Sequence, residues 1–199
     1  MTASLPSALQ LLLVELEHRL LLHDLRGSLG TALGWAELSA LDGKPPVEGL
    51  SEALEAMRAL LMAEPPATNH EAALCDLAAL VRETTGLPYE GPEFPVWCHE
   101  ELLRSCLSLV RPTQFSVKEK LPTEGAQGMI YLHLQGLEAR GVEAACQPTR
   151  QGILEATSLS ARAAATICLR PLVWWNGGGV SSPSMGELVL GFPGGGNKK

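Results

Sequence analysis

The stretch from Ser7 to Ala40 reads SALQLLLVELEHRLLLHDLRGSLGTALGWAELSA, and its apolar residues recur at steps of three and four. This spacing is typical of an amphipathic helix, so we expect one long helix over residues 7–40. Gly27, Gly30 and Gly34 lie within this stretch, and each costs about 1 kcal/mol relative to alanine in a helix interior. Three such glycines indicate either a break in the helix or close packing against another backbone.

A second helix is expected over residues 47–63, after a turn at residues 42–46 that contains Asp-Gly and Pro-Pro. Its apolar positions follow a spacing close to a heptad, which suits the seam of a helix bundle. A hairpin of two helices cannot cover its own apolar stripe, but two hairpins from two chains make a four-helix bundle. Residues 1–65 are therefore predicted to form a dimeric four-helix bundle.

The pattern changes after a proline-containing linker at residues 64–69. We expect a helix, or a strand followed by a helix, over residues 71–85, and an extended stretch over 89–96. Further helices are expected over 99–110 and 158–175, the second of them ended by the glycines at 177–179. Strands are predicted at 114–118, 129–135 and 187–192, with a shorter one at 143–147. Residues 70–193 thus form a second domain with helices on one face of a mixed sheet, the fold class is α+β, and residues 194–199 form a flexible tail.

Composition narrows the class of protein. The formal net charge is -7, and residues 1–65 hold nine acidic but four basic side chains, which disfavours nucleic acid as a partner. The five cysteines form no Cys-x-x-Cys pair, so we expect reduced thiols rather than a disulfide framework or a zinc site. The apolar run near the N-terminus is interrupted by charged residues and has no signal-peptide pattern. We therefore expect no membrane segment and a cytoplasmic location.

Residues 23–38, HDLRGSLGTALGWAEL, resemble the phosphoacceptor box of sensor histidine kinases, which has the form H-[DE]-L-R-N-P-L-x-x-I-x-G-x-x-E-L. The stretch departs from this form at Ser28, where the proline is usual, and at Gly27, where a polar residue precedes that proline. Residues 70–193 resemble the kinase ATPase domain in outline, including the strand and helix at 96–110 and the final strand. The positions that match the box in register are His23, Asp24, Leu25, Arg26, Leu29, Gly34, Glu37 and Leu38.

The motifs that bind ATP in that family are missing here. Leu109 stands where the first asparagine that holds magnesium would align, and no Asp-x-Gly-x-Gly loop occurs between Gln135 and Ser158. Without the metal ligand and the phosphate cradle, ATP chemistry has no electrostatic stabilisation. The resemblance therefore implies a degenerate histidine-kinase ATPase-like α/β sandwich that binds no cofactor, similar to the dimeric histidine phosphotransferases.

The same resemblance implies a role for each residue near the histidine. His23 would accept a phosphoryl group and pass it on, since a neutral imidazole is a good nucleophile near pH 7. Asp24 would orient the ring, and Arg26, three residues on, would steady phosphate charge. Gly27 and Gly30 would let the partner approach closely. That partner is a response-regulator receiver domain, whose aspartate and Mg²⁺ complete the site.

Other interpretations of these residues stay open. A histidine in a leucine-rich helix can be structural, and His18 is a weaker phosphoacceptor candidate because it follows an acidic residue instead of preceding one. His70, His99 and His133 lack the spacing of metal ligands. The alternative function is a non-catalytic, histidine-kinase-like module that dimerises and docks a regulator or kinase, and a third is an active kinase with a divergent ATP site.

Overall fold

The computed structural model describes residues 5–41, 55, 72–120, 128–174 and 176–194. The linker at 64–69, the tail beyond Gly194 and the predicted helix at 47–63 lie outside these residues, except that residue 55 of this helix is described and is helical. The chain divides into two compact units. One consists of Met1–Val14 together with His70–Lys199, and the other is Glu15–Asn69. The first residues of the long N-terminal helix thus belong with the sheet, whereas the sequence assigned all of residues 1–65 to the hairpin.

The long helix predicted at residues 7–40 is confirmed as helix α1, Ser7–Leu41. It continues without interruption through its three glycines, so the expectation of a break is wrong. In the first unit, Leu9 and Leu12 of α1 are fully buried, and the backbone carbonyl of Leu9 accepts a hydrogen bond from the Cys168 thiol at 3.5 Å. These contacts explain why the start of α1 belongs to that unit.

The rest of the first unit combines helices and antiparallel strands, which confirms the α+β class. The helix at 99–110 and the strands at 114–118, 129–135 and 187–192 are found close to their predicted positions, and residues 71–85 form a strand followed by a helix. The elements after α1 are β1 Ala73–Asp76, α2 Leu77–Thr85, β2 Pro95–Cys98, α3 Glu100–Val110, β3 Gln114–Lys120, β4 Met129–Gln135, α4 Ala139–Cys146, α5 Arg150–Leu159, α6 Ala161–Trp174, β5 Gly179–Ser181 and β6 Glu187–Pro193.

The strands form two sheets, a two-stranded β1-β2 sheet and a four-stranded sheet with the order β3-β4-β6-β5. Every pairing between these strands is antiparallel, with Leu132 of β4 opposite Val117 of β3 and Leu190 of β6. The expectation of a mixed sheet is therefore wrong. The alternation of apolar residues shows which face of a strand is buried but does not determine the direction of the strand beside it.

The core of the first unit lies between one face of the four-stranded sheet and the helices. Ile130, Leu132 and Leu134 alternate along β4 and are buried on that face. Helices α3 and α4 both pack against α6. A Cβ atom on Gly141 of α4 would lie 2.9 Å from the Cα of Ala163 in α6, so the missing side chain allows the two helices to approach closely.

Several predicted elements differ from the structure. The prediction of a strand at 143–147 is wrong, because residues 143–146 belong to helix α4 and Gln147 follows the end of that helix. The helix expected from residue 158 starts at Ala161, and a separate helix, α5, precedes it. Gly194, the first residue of the predicted tail, pairs with Val96 and donates a backbone hydrogen bond to the carbonyl of Gly128. No helix in the described ranges is both long and apolar enough to cross a lipid bilayer.

Candidate functional site

His23 lies near the middle of helix α1, in the second unit, and its residue is exposed. Arg26 follows three positions later on the same helix and is also exposed. Residues three apart on a helix are neighbours on its surface, so the guanidinium can reach an anion that is bound at the imidazole. The structure thus places two of the three predicted catalytic residues together on an accessible surface.

The third predicted catalytic residue, Asp24, lies in the same helix. Its side chain is outside the part of the chain that the structure describes, as are those of Ser28 and Glu37. The role of Asp24 in orienting the imidazole therefore stays a prediction from the resemblance.

The predicted partner-binding glycines, Gly27 and Gly30, lie on the same side of α1 as His23, and Gly34 lies on that side too. At about 100° per residue, Gly27, Gly30 and Gly34 follow His23 by one, two and three turns. A Cβ atom built on any of the three meets no atom of the described chain within 4 Å. These glycines therefore contact no other part of the described chain, and their close packing against a backbone outside the described residues stays a prediction.

The opposite side of α1 carries exposed apolar residues. Leu21 is 37% exposed, Leu25 44% and Trp35 68%. These residues belong to the alternating three- and four-residue series 18, 21, 25, 28, 32 and 35, which is the spacing of a coiled-coil seam. We call this series the α1 seam.

The other histidines have different surroundings. His18 is exposed on α1, and His99 is buried at the N-cap of α3. His133 of β4 lies 3.4 Å from the carboxylate of Glu187, measured from Nδ1 to Oε1. The pKa of Glu187 is lowered, mainly by the hydroxyl of Ser184, which donates at 3.0 Å, and further by His133. His70 lies outside the described residues. Nowhere in the described ranges do three or more metal-binding side chains lie close enough together for an ion.

The segment in which the ATP motifs are missing has a regular structure of its own. Residues 139–159 form helices α4 and α5, and Leu109 is half-buried in α3. Arg162 of α6 holds the neighbouring turns together by donating to the backbone carbonyls of Val110, Arg111 and Gly136, at 2.6, 3.0 and 2.8 Å. Two helices therefore occupy much of the segment in which the sequence contains no Asp-x-Gly-x-Gly loop.

Two cysteines are in contact in a way that the sequence did not predict. The Sγ atoms of Cys75 in β1 and Cys98 in β2 are 2.9 Å apart. The sequence separates them by 23 positions, and only the pairing of two short strands brings them together. No motif indicated this contact, since the two cysteines have neither disulfide-framework nor metal-site spacing.

Comparisons with known proteins give little support for a family. No protein-family model matches the chain, and no curated protein does. Among solved structures it is similar to full-length ShkA, a hybrid histidine kinase, in complex with AMPPNP. The identity is 18%, the match covers 96% of this chain and 46% of that one, and the TM-score is 0.34. This chain thus spans less than half the length of ShkA, and so low a score carries no argument about function.

Proposed function

We propose that this chain is a histidine phosphotransfer protein of a two-component phosphorelay, which exchanges a phosphoryl group between His23 and the aspartate of a response-regulator receiver domain. The observation that supports the proposal is the arrangement on α1. His23 and Arg26 lie on an exposed helix surface that the glycines keep free of side chains, and the exposed α1 seam lies on the other side. Such a helix offers one side to a second helix and the other to a phosphorylated partner.

The α1 seam supports the homodimer. Exposed leucines and a tryptophan at heptad spacing are stabilised when another helix covers them. A second copy of the same chain presents the same seam, and an interface about a twofold axis is self-complementary. His23 is two positions from Leu21 and from Leu25, and two positions correspond to about 200° around the helix axis. Dimerisation through the seam therefore leaves the histidine accessible.

The proposed transfer is a substitution at phosphorus. An imidazole nitrogen of His23 attacks the phosphorus of the receiver's aspartyl phosphate with its lone pair, and an N–P bond forms. The P–O bond to the carboxylate breaks, and the carboxylate leaves with the electron pair. Arg26 balances charge on the phosphoryl oxygens, while Mg²⁺ is held by the receiver domain. The reverse step uses the same atoms, so His23 can donate as well as accept.

We propose further that the sheet-containing unit binds no nucleotide and adds no phosphate from ATP. The helices α4 and α5 in place of a nucleotide-binding loop, and Leu109 in place of an asparagine, support this part of the proposal. On this account the phosphoryl group always reaches His23 from another protein.

Transfer from receiver domains tests the proposal. The receiver domains encoded in the same genome are labelled on aspartate with radioactive acetyl phosphate and Mg²⁺, purified, and mixed with the full chain. We expect at least one of them to pass label to the wild-type chain and to His18→Ala, which removes the other histidine of α1 and leaves an apolar side chain at that position of the α1 seam. His23→Ala should accept none. Label on His23→Ala, or no label on the wild type from any receiver, would contradict the proposal.

The alternative, a docking module without phosphate chemistry, makes a different prediction in the same experiment. It is favoured by the departure from the phosphoacceptor box at Gly27 and Ser28. In that case a receiver domain would bind the wild type and His23→Ala with equal affinity in a pull-down, and neither chain would become labelled.

A further inference from the structure

The two cysteines at the β1-β2 sheet lie outside the phosphotransfer site and use none of its residues. Their Sγ atoms are 2.9 Å apart. A disulfide requires about 2.05 Å between the sulfurs, so the two sulfurs would have to approach by about 0.9 Å to be joined. Neither sulfur is bonded to another in the structure, where all five cysteines are free thiols.

The strands that carry these cysteines are suited to such a movement. Cys75 is directly opposite Val96, and Cys98 is opposite Ala73, so the two cysteines are diagonal neighbours in the antiparallel pairing. Each strand has four residues, and the sheet has two strands. Two-stranded ribbons are the most strongly twisted sheets, and a ribbon this short can adjust its twist more easily than the four-stranded sheet can.

The two thiols differ in accessibility. Cys75 is half-buried, whereas Cys98 is 1% exposed. A small oxidant in solution can therefore reach Cys75 first. The contact also gives the two thiols different acidities. The hydrogen bond from Cys98 lowers the pKa of Cys75. The same hydrogen bond, together with burial, raises the pKa of Cys98. A thiolate is the reactive form of cysteine.

We propose that Cys75 and Cys98 are a reversible oxidation site, at which hydrogen peroxide is reduced and a disulfide forms between β1 and β2. The Cys75 thiolate attacks one peroxide oxygen, an S–O bond forms, the O–O bond breaks, and hydroxide leaves and takes up a proton to become water. The Cys98 sulfur then attacks the Cys75 sulfur. The S–S bond forms, the S–O bond breaks, and a second water leaves with the Cys98 proton. A dithiol reduces the disulfide back to two thiols.

The disulfide would fix the geometry of a defined part of the fold. It would close a loop over residues 75–98, which contains helix α2 and the connection to β2. Asp76, next to Cys75, already ties this loop at the same point by accepting hydrogen bonds from the backbone amides of Ala78 and Phe94. In the reduced protein, the pairing of β1 with β2 and the Asp76 carboxylate hold the two ends of this loop together. Oxidation would add a covalent bond between the same two strands.

Oxidation of the full chain with hydrogen peroxide, followed by alkylation of the remaining thiols and peptide mapping without reduction, tests the site. We expect the wild type to lose two of its five thiols and to yield one peptide pair that joins Cys75 to Cys98 within a single chain, and dithiothreitol should restore both thiols. Cys146, a half-buried cysteine whose pKa is raised by burial, provides the matched control. It should react at least about tenfold more slowly than Cys75, and Cys146→Ser should behave as the wild type does.

Two variants identify the order of the steps. Cys98→Ala should stop at the sulfenic acid, which dimedone traps on Cys75, and Cys75→Ser should leave Cys98 unmodified. Oxidation of Cys146 as fast as Cys75, a disulfide that joins two chains instead of closing within one, or full alkylation of both cysteines in the folded, peroxide-treated wild type would overturn the proposal.

Discussion

Leu21 and His23 lie on opposite sides of helix α1, although a single residue separates them. Leu21 is 37% exposed and belongs to the α1 seam, and two helical positions turn the side chain by about 200°. A single helix can therefore carry both the dimer interface and the phosphoacceptor without either obstructing the other. This separation makes the two functions testable one at a time.

The first prediction concerns the dimer. Leu21→Glu places a charge in the α1 seam, where burial against a second helix would leave it without a partner, and should convert a dimer into a monomer. Light scattering coupled to size-exclusion chromatography measures the mass. Leu154→Glu, on α5 and 52% exposed in the wild type, is the control and should stay dimeric, as should His23→Ala. A wild type that is monomeric at tens of micromolar, or an unchanged mass for Leu21→Glu, would refute the seam as the interface.

The prediction of helix α1, made from leucines that recur at three- and four-residue steps, is confirmed, and the three glycines do not interrupt the helix. The reason for those glycines could not be predicted. A glycine in a helix is compatible with a break, with close packing and with an open surface, and local sequence does not distinguish these outcomes. A Cβ atom on Gly27 or Gly30 would meet no atom of the described chain within 4 Å, which is compatible with a docking surface.

The second prediction concerns the turn after helix α6. A Cβ atom on Gly178 would collide with the carbonyl oxygen of Gly191 and lie 2.6 Å from a methyl carbon of Val173. Gly178→Ala should therefore lower the free energy of unfolding by about 2 kcal/mol. A Cβ atom on the adjacent Gly179 would meet no atom of the described chain within 4 Å. Gly179→Ala should therefore change the free energy of unfolding by less than about 0.5 kcal/mol. Urea unfolding measures both, and equal losses would show that this close contact is absent.

The third prediction concerns pH. The pKa of Glu187 is lowered in the folded chain, first by Ser184 and then by His133. A carboxyl with a lowered folded pKa stabilises the fold above its unfolded pKa of about 4.3, and the effect is lost as the pH falls through the folded value. Glu187→Gln should thus be less stable than the wild type near neutral pH, and the difference should shrink in acid.

Urea unfolding from about pH 7 to about pH 3 measures that difference. Glu119→Gln, at an exposed position of β3, is the control and should follow the wild type at every pH. A Glu187→Gln variant whose deficit stays constant into acid would contradict the assignment of the shift to this carboxyl.

In the sheet-containing unit, sequence patterns predicted some elements and missed others. The alternation in residues 129–135 identified β4 to the residue, because its three buried side chains, Ile130, Leu132 and Leu134, alternate along one face. The short helices α4 and α5 were missed, since residues 143–147 are too few to separate a helical period from a strand period. The Cys75–Cys98 contact depends on pairing between strands that are distant in the sequence, and no local signal encodes it.

The central claim is that His23 carries the phosphoryl group, and the site of phosphorylation tests it most directly. Trypsin cleaves after Arg19 and Arg26, so residues 20–26, LLLHDLR, form a peptide whose one histidine is His23. After incubation with a phosphorylated receiver domain and digestion at neutral pH, mass spectrometry should find the phosphoryl group on this peptide, with the imidazole as its acid-labile attachment point. The account would be contradicted if the phosphoryl group were found on the peptide that contains His18. It would also be contradicted if neither peptide carried it while the receiver domain lost its phosphoryl group.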